Sequence, residues 1–128
     1  MTPQHHFPSV LLGLLLALPI APLARAQDYP ARQVTFIMPF APGGANDLCA
    51  RFLAQKLTDR LGKPFVVENR PGAGTVVASN MVAKAAPDGH TILVAPSPLA
   101  TNATLYKQLP YDPAKDFAPI ARVADIPF

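Results

Sequence analysis

The sequence has 128 residues, of which 50% are hydrophobic and 15% are charged, and its formal net charge is +3. This length is enough for one small domain besides a targeting segment. The lysines and arginines form no run and are not interleaved with aromatic residues, so the composition argues against a nucleic-acid-binding protein.

Residues 1–26 have the pattern of a secretory signal peptide. The apolar run from Val10 to Pro19 is too short to cross a bilayer, which takes about 20 residues. Ala24 and Ala26 supply the small-x-small pattern that signal peptidase requires. We therefore expect cleavage before Gln27, export, and no stable membrane insertion of the mature chain. The alternative interpretation is a buried apolar helix.

The mature chain, residues 27–128, opens with a strand, a loop and a helix. Apolar and β-rich residues predict a buried strand over 34–38, followed by a loop over 40–46. Asn46 is expected to be the N-cap of the helix, with Asp47 in its first turn, where the helix dipole favours a carboxylate. Large apolar residues recur at helical spacing and should form its buried face: Leu48, Phe52, Leu53, Leu57 and Leu61.

The next part of the chain continues this alternation. A strand over 65–67 and a loop over 68–75 are followed by a helix over 75–86, whose buried stripe is predicted to consist of Val77, Met81, Val82 and Ala85. A strand over 91–95, a loop over 96–102 and a short helix over 103–108 come next. The last predicted elements are a surface segment over 110–119 and a strand over 121–124.

The order strand–helix–strand–helix–strand predicts an α/β fold with a parallel sheet. The three predicted loops leave the carboxyl ends of the three strands, which is the edge where open α/β sheets bind ligands. The amino ends of the helices direct free N–H groups and positive dipole ends toward the same edge. An anionic ligand is therefore expected there.

No motif indicates catalysis, a cofactor or a metal. The loop at Gly43 and Gly44 is not followed by the Gly-Lys-Ser/Thr of a P-loop, and Gly72-Ala-Gly74 lacks the third glycine of a dinucleotide fingerprint. Ser97 has no credible base, and no His, Cys and Asp cluster has the spacing of metal ligands. We predict no catalytic residue, no metal site, no cofactor and no enzymatic activity.

Two isolated reactive side chains have ordinary structural interpretations. Cys49 cannot form an internal disulfide, and its helical position among apolar neighbours predicts a small buried hydrophobe. A catalytic nucleophile is the alternative for Cys49. His90 stands at the start of a predicted strand and is expected to face solvent.

Four strings follow one another along the chain: Pro39-Phe-Ala-Pro-Gly-Gly-Ala-Asn-Asp47, Val67-Glu-Asn-Arg-Pro-Gly-Ala-Gly74, Ala86-Pro-Asp-Gly-His-Thr91 and Leu109-Pro-Tyr-Asp-Pro113. Over residues 29–125 they closely resemble the substrate-binding family of the tripartite tricarboxylate transporters, also called the Bug receptors. The second and fourth strings are the specific ones. The resemblance implies a type II-like periplasmic binding protein, whose two lobes close on a small carboxylate or related metabolite and pass it to a membrane permease.

The same resemblance carries an expectation about completeness. This chain would supply the βαβαβ part of the first lobe, and the second lobe would be missing, so we expect a truncated receptor. A cleft with one wall does not enclose a ligand, and such a fragment alone should bind weakly or not at all.

The resemblance also implies the ligand site. Backbone N–H groups of Gly43, Gly44, Gly74 and Thr75 should hold a carboxylate, and Asp47 would orient the polar end of the ligand or only serve the helix dipole. Asn69 and Arg70 are expected to brace the turn, with a ligand role as the alternative. The implied ligand-binding residues are Phe40, Ala41, Pro42, Gly43, Gly44, Asn46, Asp47, Gly72, Ala73, Gly74, Thr75, Ser97 and Asn102. The chain departs from the common family pattern at Asn46, where Thr is frequent, and at Thr75, where Gly is frequent.

Other functions stay open at this level. The same lobe occurs in binding modules of periplasmic sensor or signalling systems, and an α/β scaffold also suits enzymes. A non-functional gene fragment is a further alternative.

Overall fold

The computed structural model describes residues 28–124. The predicted signal peptide, residues 1–26, lies outside this part of the chain. The elements in chain order are β1 (Val34–Met38), α1 (Ala45–Leu61), β2 (Phe65–Asn69), a 3-10 turn (Ala73–Thr75), α2 (Val76–Ala83), β3 (Thr91–Leu93) and α3 (Pro98–Leu105).

The three strands form a parallel sheet in the order β2-β1-β3. Val34 pairs with Phe65 at one end of β1 and Met38 pairs with Asn69 at the other, while Thr35 pairs with Thr91 on the opposite side. Parallel neighbours require crossover connections, which α1 and α2 supply. The predicted parallel α/β fold is confirmed, and the carboxyl ends of all three strands meet at one edge.

The core lies on both faces of β1. Val34, Ile37 and Met38 are fully buried, as expected of a central strand covered by helices on both sides. The rings of Phe36 and Phe65 meet edge to face, with centroids 5.6 Å apart, and Ala54 of α1 packs against them. Full burial of one such side chain contributes about 1.5–3 kcal/mol, so this small cluster holds the first crossover together.

The predicted apolar face of α1 is only partly correct. Leu48 is 61% exposed and Phe52 is 66% exposed. The buried residues of α1 are Asp47, Ala50 and Ala54, which recur at i, i+3 and i+7 and therefore share one face of the helix. A carboxylate and two small residues form that face, so the spacing of large apolar residues predicted the wrong face of α1 as buried. Leu53, Leu57 and Leu61 are also outside the fully buried set, although Leu53 and Leu57 pack against the core.

Two further expectations on α1 are wrong. Its N-cap is Gly44 and not Asn46, and no side chain among residues 28–124 caps the helix. Cys49 is exposed, because it lies one position away from the buried stripe.

The later elements also differ from their predicted bounds. In α2 the buried residues are Ala78 and Ser79, whereas Val77 and Met81 are exposed. Helix α3 begins at Pro98, so most of the predicted loop over 96–102 is helical, which suits a proline near the first helical position. Residues 121–124 form no strand in the described structure.

His90 is buried and not solvent-facing. Its residue surface is 8% exposed, its ring packs on Tyr29 with centroids 5.4 Å apart, and its backbone N–H donates to the carboxylate of Asp88. This contact group lies at the amino end of β3, away from the edge where the loops converge. Within residues 28–124, no helix has both the length and the apolar character needed to cross a membrane.

Candidate functional site

A groove with a volume of about 480 Å³ opens at the carboxyl edge of the sheet. Pockets for small ligands fall in the range of roughly 300–1,000 Å³. Three segments form it: the end of β1 with the loop after it, the turn before α2, and one side of α3. The lining residues are Pro39, Phe40, Ala41, Pro71, Gly72, Ala73, Gly74, Thr75, Pro98, Thr101, Asn102, Leu105 and Tyr106.

None of these lining side chains is charged. The polar groups at the groove are hydroxyls, one amide and the backbone of the turn. An anion bound here would be held by neutral donors, while the apolar side chains of Pro39, Phe40 and Leu105 offer contact area to a hydrocarbon chain. Within residues 28–124, no group of three or more His, Cys, Asp or Glu side chains is placed to hold a metal ion.

The turn at residues 72–75 has an unusual backbone. All four residues have positive φ: 139° at Gly72, 44° at Ala73, 58° at Gly74 and 78° at Thr75. For a residue with a side chain, the left-handed region costs roughly 1–2 kcal/mol. Ala73 and Thr75 both occupy it, and such strain persists where the surroundings hold it in place, often at ligand sites.

Helix α3 and its C-cap residue Tyr106 hold this turn. The side-chain nitrogen of Asn102 donates to the carbonyl oxygen of Gly74 over 2.8 Å and to the hydroxyl of Thr75 over 3.4 Å. The hydroxyl of Tyr106 donates to the carbonyl oxygen of Ala73 over 3.3 Å. Asn102 is only 3% exposed. The groove wall formed by the turn therefore depends on side chains that approach from α3.

A second polar cluster surrounds Asp47, which is 2% exposed. Its carboxylate accepts hydrogen bonds from Arg51 at 2.9 and 3.1 Å, from the backbone N–H of Gly43 at 3.0 Å and from the side-chain nitrogen of Asn69 at 2.8 Å. These donors, Arg51 foremost, followed by Gly43 and then Asn69, hold the pKa of Asp47 well below its usual range. The first turn of α1 thus carries a carboxylate that belongs to the protein.

Asn69 links this cluster to the groove. Its side-chain nitrogen also donates to the carbonyl oxygen of Phe40 over 3.0 Å, and its side-chain oxygen accepts from Arg51 over 2.9 Å. The end of β2 is thereby tied to the loop after β1, as expected of a bracing residue. Arg70 pairs with Glu68 on the surface.

The predicted site residues fall into three groups. The groove brings together Phe40, Ala41, Gly72, Ala73, Gly74, Thr75 and Asn102. Outside its lining lie Pro42, Gly43, Gly44 and Asn46, all exposed, and the buried Asp47. Ser97 lines a separate groove on another side of α3, together with Ala95 and Pro113. Ser97 is therefore not part of the same wall as Asn102.

Two of the four backbone donors expected to hold a carboxylate are already engaged. The N–H of Gly43 donates to Asp47, and the N–H of Thr75 donates to the carbonyl oxygen of Gly72 over 3.0 Å. Within residues 28–124, the N–H groups of Gly44 and Gly74 find no protein acceptor. Of these two residues, Gly74 lines the groove.

Tyr106 and Thr101 are groove residues that sequence reasoning missed. The missed signal is helical spacing from a proline at the helix start. Pro98 and Asn102 are four positions apart, so a helix beginning at Pro98 places them on neighbouring turns of one side, and Tyr106 follows directly after the helix as its C-cap residue. Because residues 96–102 were predicted to be a loop, this helical spacing was not recognised.

Comparison with known proteins gives a consistent result. The family model described as tripartite tricarboxylate transporter family receptor, TctC, matches residues 49–128. Protein BugT of Bordetella pertussis is 43% identical over 120 residues, which cover 91% of this chain and 37% of BugT. A protein from the tcbD–tcbE intergenic region of Pseudomonas sp. is 38% identical over 120 residues, covering 92% of this chain and 36% of that protein. The chain thus spans little more than a third of the length of these relatives.

Solved structures match in the same way. The periplasmic binding protein BugD is 43% identical with a TM-score of 0.68, over 72% of this chain and 31% of that chain. MatC of Rhodopseudomonas palustris with bound malate gives 42% identity, a TM-score of 0.66, and coverage of 71% and 31%. R. palustris Rpa4515 with adipate gives 42% identity, a TM-score of 0.64, and coverage of 68% and 29%. These matches confirm the resemblance drawn from the sequence, and they are to receptors and binding proteins rather than to enzymes, as predicted.

Proposed function

We propose that this chain, which belongs to the tripartite tricarboxylate transporter receptor family, forms part of a periplasmic receptor that captures a small organic carboxylate. The receptor would deliver its ligand to the membrane permease of a tripartite tricarboxylate transport system. Two solved relatives support the ligand class, since one holds malate and the other adipate. Export through a cleaved signal peptide is part of the proposal, and a mature amino terminus at Gln27 is the measurement that tests it.

The observation that carries the proposal is the groove with neutral donors at the carboxyl edge of the sheet. Helix α1 suits a ligand anion less well, because its first turn already carries the carboxylate of Asp47. The 72–75 turn is therefore the stronger candidate for the carboxylate. There the N–H of Gly74 has no acceptor in the described part of the chain, and the first turn of α2 begins directly after Thr75.

Neutral donors suit a receptor that must release its ligand. A hydrogen bond to a charged group contributes about 1.5–3 kcal/mol net, so a few such bonds give useful affinity without a buried ion pair. The remaining binding energy would come from apolar contact with Pro39, Phe40 and Leu105. A small dicarboxylate offers both kinds of contact, a carboxylate at its end and a hydrocarbon segment beside it.

The test is a titration of the 15N-labelled protein with malate and with adipate, in which binding is monitored by NMR through the amide chemical shifts. The neutral diamides of the same two acids are the matched control. Millimolar ligand is appropriate because it reveals a binding free energy of about −4 kcal/mol. We expect shift changes at Gly74, Thr75 and Thr101 with the acids and none with the diamides. No shift changes with either acid, or equal changes with acids and diamides, would refute carboxylate recognition by this groove.

A further inference from the structure

Two polar side chains contact the 72–75 turn: that of Asn102 on α3 and that of Tyr106, the C-cap residue of this helix. We propose that Asn102 and Tyr106 are positioning residues that hold this turn in its left-handed conformation and so present the N–H of Gly74 to the carboxylate of the ligand. The inference rests on the proposed function for the identity of the ligand. It changes the role expected for Asn102, which the family resemblance implies to be a direct ligand contact.

The turn requires external support. Ala73 and Thr75 carry side chains yet have φ of 44° and 78°, so a relaxed chain would leave this conformation. The backbone supplies two hydrogen bonds of its own, from the N–H of Thr75 to the carbonyl oxygen of Gly72 and from the N–H of Val76 to that of Ala73. Side-chain contacts add to these, since Asn102 binds Gly74 and Thr75 and Tyr106 binds Ala73.

The geometry of the peptide bond explains how these contacts orient a donor. In a planar trans peptide, the C=O of one residue and the N–H of the next point in opposite directions. The carbonyl of Ala73 accepts from the hydroxyl of Tyr106 and from the backbone N–H of Val76, so the N–H of Gly74 must point away from these two donors. Asn102 fixes the carbonyl of Gly74 in the same manner, and the N–H of Thr75 then reaches Gly72.

The amide nitrogen of Asn102 has no donor left for a ligand. A side-chain NH₂ group has two hydrogens. One is donated to the carbonyl oxygen of Gly74 and the other to the hydroxyl of Thr75. Asn102 is 3% exposed, so its side-chain donors contact the turn and would affect a ligand only through the conformation of the turn.

Tyr106 lies directly against the turn. A Cβ atom added at Gly74 would come within 3.0 Å of the Tyr106 hydroxyl oxygen, and Gly74 has φ of 58°. Glycine is therefore needed both for the conformation and for the close approach. The Tyr106 hydroxyl thus packs closely against the turn, while the rest of the Tyr106 side chain remains partly exposed at the groove.

The test compares three variants of the full chain. Tyr106→Phe removes only the hydroxyl, and Asn102→Ala removes both donors. Tyr111→Phe is the matched control, because the hydroxyl of Tyr111 is buried without a hydrogen-bond partner among residues 28–124 and Tyr111 does not line the groove. The first measurement, without ligand, is the three-bond HN–Hα coupling of Ala73 and Thr75, which reports φ. The second is the malate affinity together with the shift of the Gly74 amide on titration.

We expect both α3 variants to change the couplings, Tyr106→Phe to weaken malate binding roughly 2- to 10-fold, and Asn102→Ala to weaken it further. In both, the Gly74 amide should shift less on saturation, and Tyr111→Phe should match the wild type throughout. Unchanged couplings together with unchanged malate affinity in Tyr106→Phe and Asn102→Ala would overturn the proposal. If Asn102→Ala does not fold, Tyr106→Phe decides alone.

A wild-type protein that binds neither malate nor adipate would contradict the proposed function and not by itself the role of α3. The couplings without ligand still decide that role: altered φ at Ala73 and Thr75 in the variants supports it, and wild-type φ refutes it.

Discussion

The left-handed backbone of the 72–75 turn makes a quantitative prediction at Ala73. This residue has φ of 44° and its side chain is exposed, so its methyl group contributes little by burial. Replacing it by glycine removes a conformational penalty of roughly 1–2 kcal/mol. Glycine adds freedom to the unfolded chain, which offsets about 0.5–1 kcal/mol of that gain. Ala73→Gly should therefore stabilise the protein by about 0.5–1 kcal/mol.

Gly62 provides a control in which the opposite substitution, glycine to alanine, is made at a position with positive φ. It ends α1 with φ of 68°, and an added Cβ would find no atom of the described residues within 4 Å. Gly62→Ala therefore isolates the backbone penalty without a steric clash, and it should destabilise the protein by about 1 kcal/mol.

The assay is urea unfolding followed by far-UV circular dichroism, with thermal unfolding as a second measurement. For a domain of this size, 1 kcal/mol corresponds to a shift in Tm of about 4–8 °C. The two midpoints should move in opposite directions, up for Ala73→Gly and down for Gly62→Ala. A decrease in stability for Ala73→Gly alongside the expected loss for Gly62→Ala would show that Ala73 is not held in the left-handed region.

Three further predictions concern the polar cluster and the exposed face of α1. The pKa of Asp47 is depressed in the folded protein, so its contribution to stability is present above the ordinary aspartate pKa and is lost as the pH falls through the folded-state pKa. In urea titrations, Asp47→Asn should therefore lose less stability than the wild type as the pH falls below about 4. An identical loss in both proteins would contradict the assigned network. Asn69→Ala should cost about 1–3 kcal/mol, because Asp47 and the carbonyl of Phe40 each lose a donor, and the amide of Ala41 should shift in NMR spectra, whereas wild-type stability would argue against bracing. Cys49 should react fully with a maleimide in the native protein, at a rate unaffected by mild denaturant, and protection of the thiol would place it in an interface or a core.

The local pattern was sufficient for the sheet and for the position of the binding edge. The apolar run at 34–38 became β1 at the predicted bounds, because a strand buried on both faces needs continuous apolar residues. Thr91 begins β3 as predicted, but this strand ends at Leu93 rather than at residue 95. Two crossover helices between three such runs leave a parallel sheet as the natural arrangement, and loops at its carboxyl edge follow from the connectivity.

Helix orientation was predicted less well. The face of α1 that meets the sheet is marked by Asp47, Ala50 and Ala54 and leaves Leu48 in solvent. Periodicity of large apolar residues does not indicate such a face, because its polar member is stabilised by Arg51 and Asn69, and Asn69 is distant in sequence. His90 shows the same effect, since its ring is buried by a tilted contact with the ring of Tyr29, which lies 61 positions away in the chain.

The sequence by itself determined the fold class, the family and the segments that surround the groove, because strand and helix periods and the family strings are local properties of the chain. Only the tertiary structure decided which donors remain for a ligand. The N–H of Gly43 is taken by Asp47, the amide of Asn102 is taken by the turn, and the N–H of Gly74 finds no protein acceptor among the described residues. Hydrogen bonds saturate, so the availability of a donor depends on every acceptor that the fold brings within about 3 Å of it.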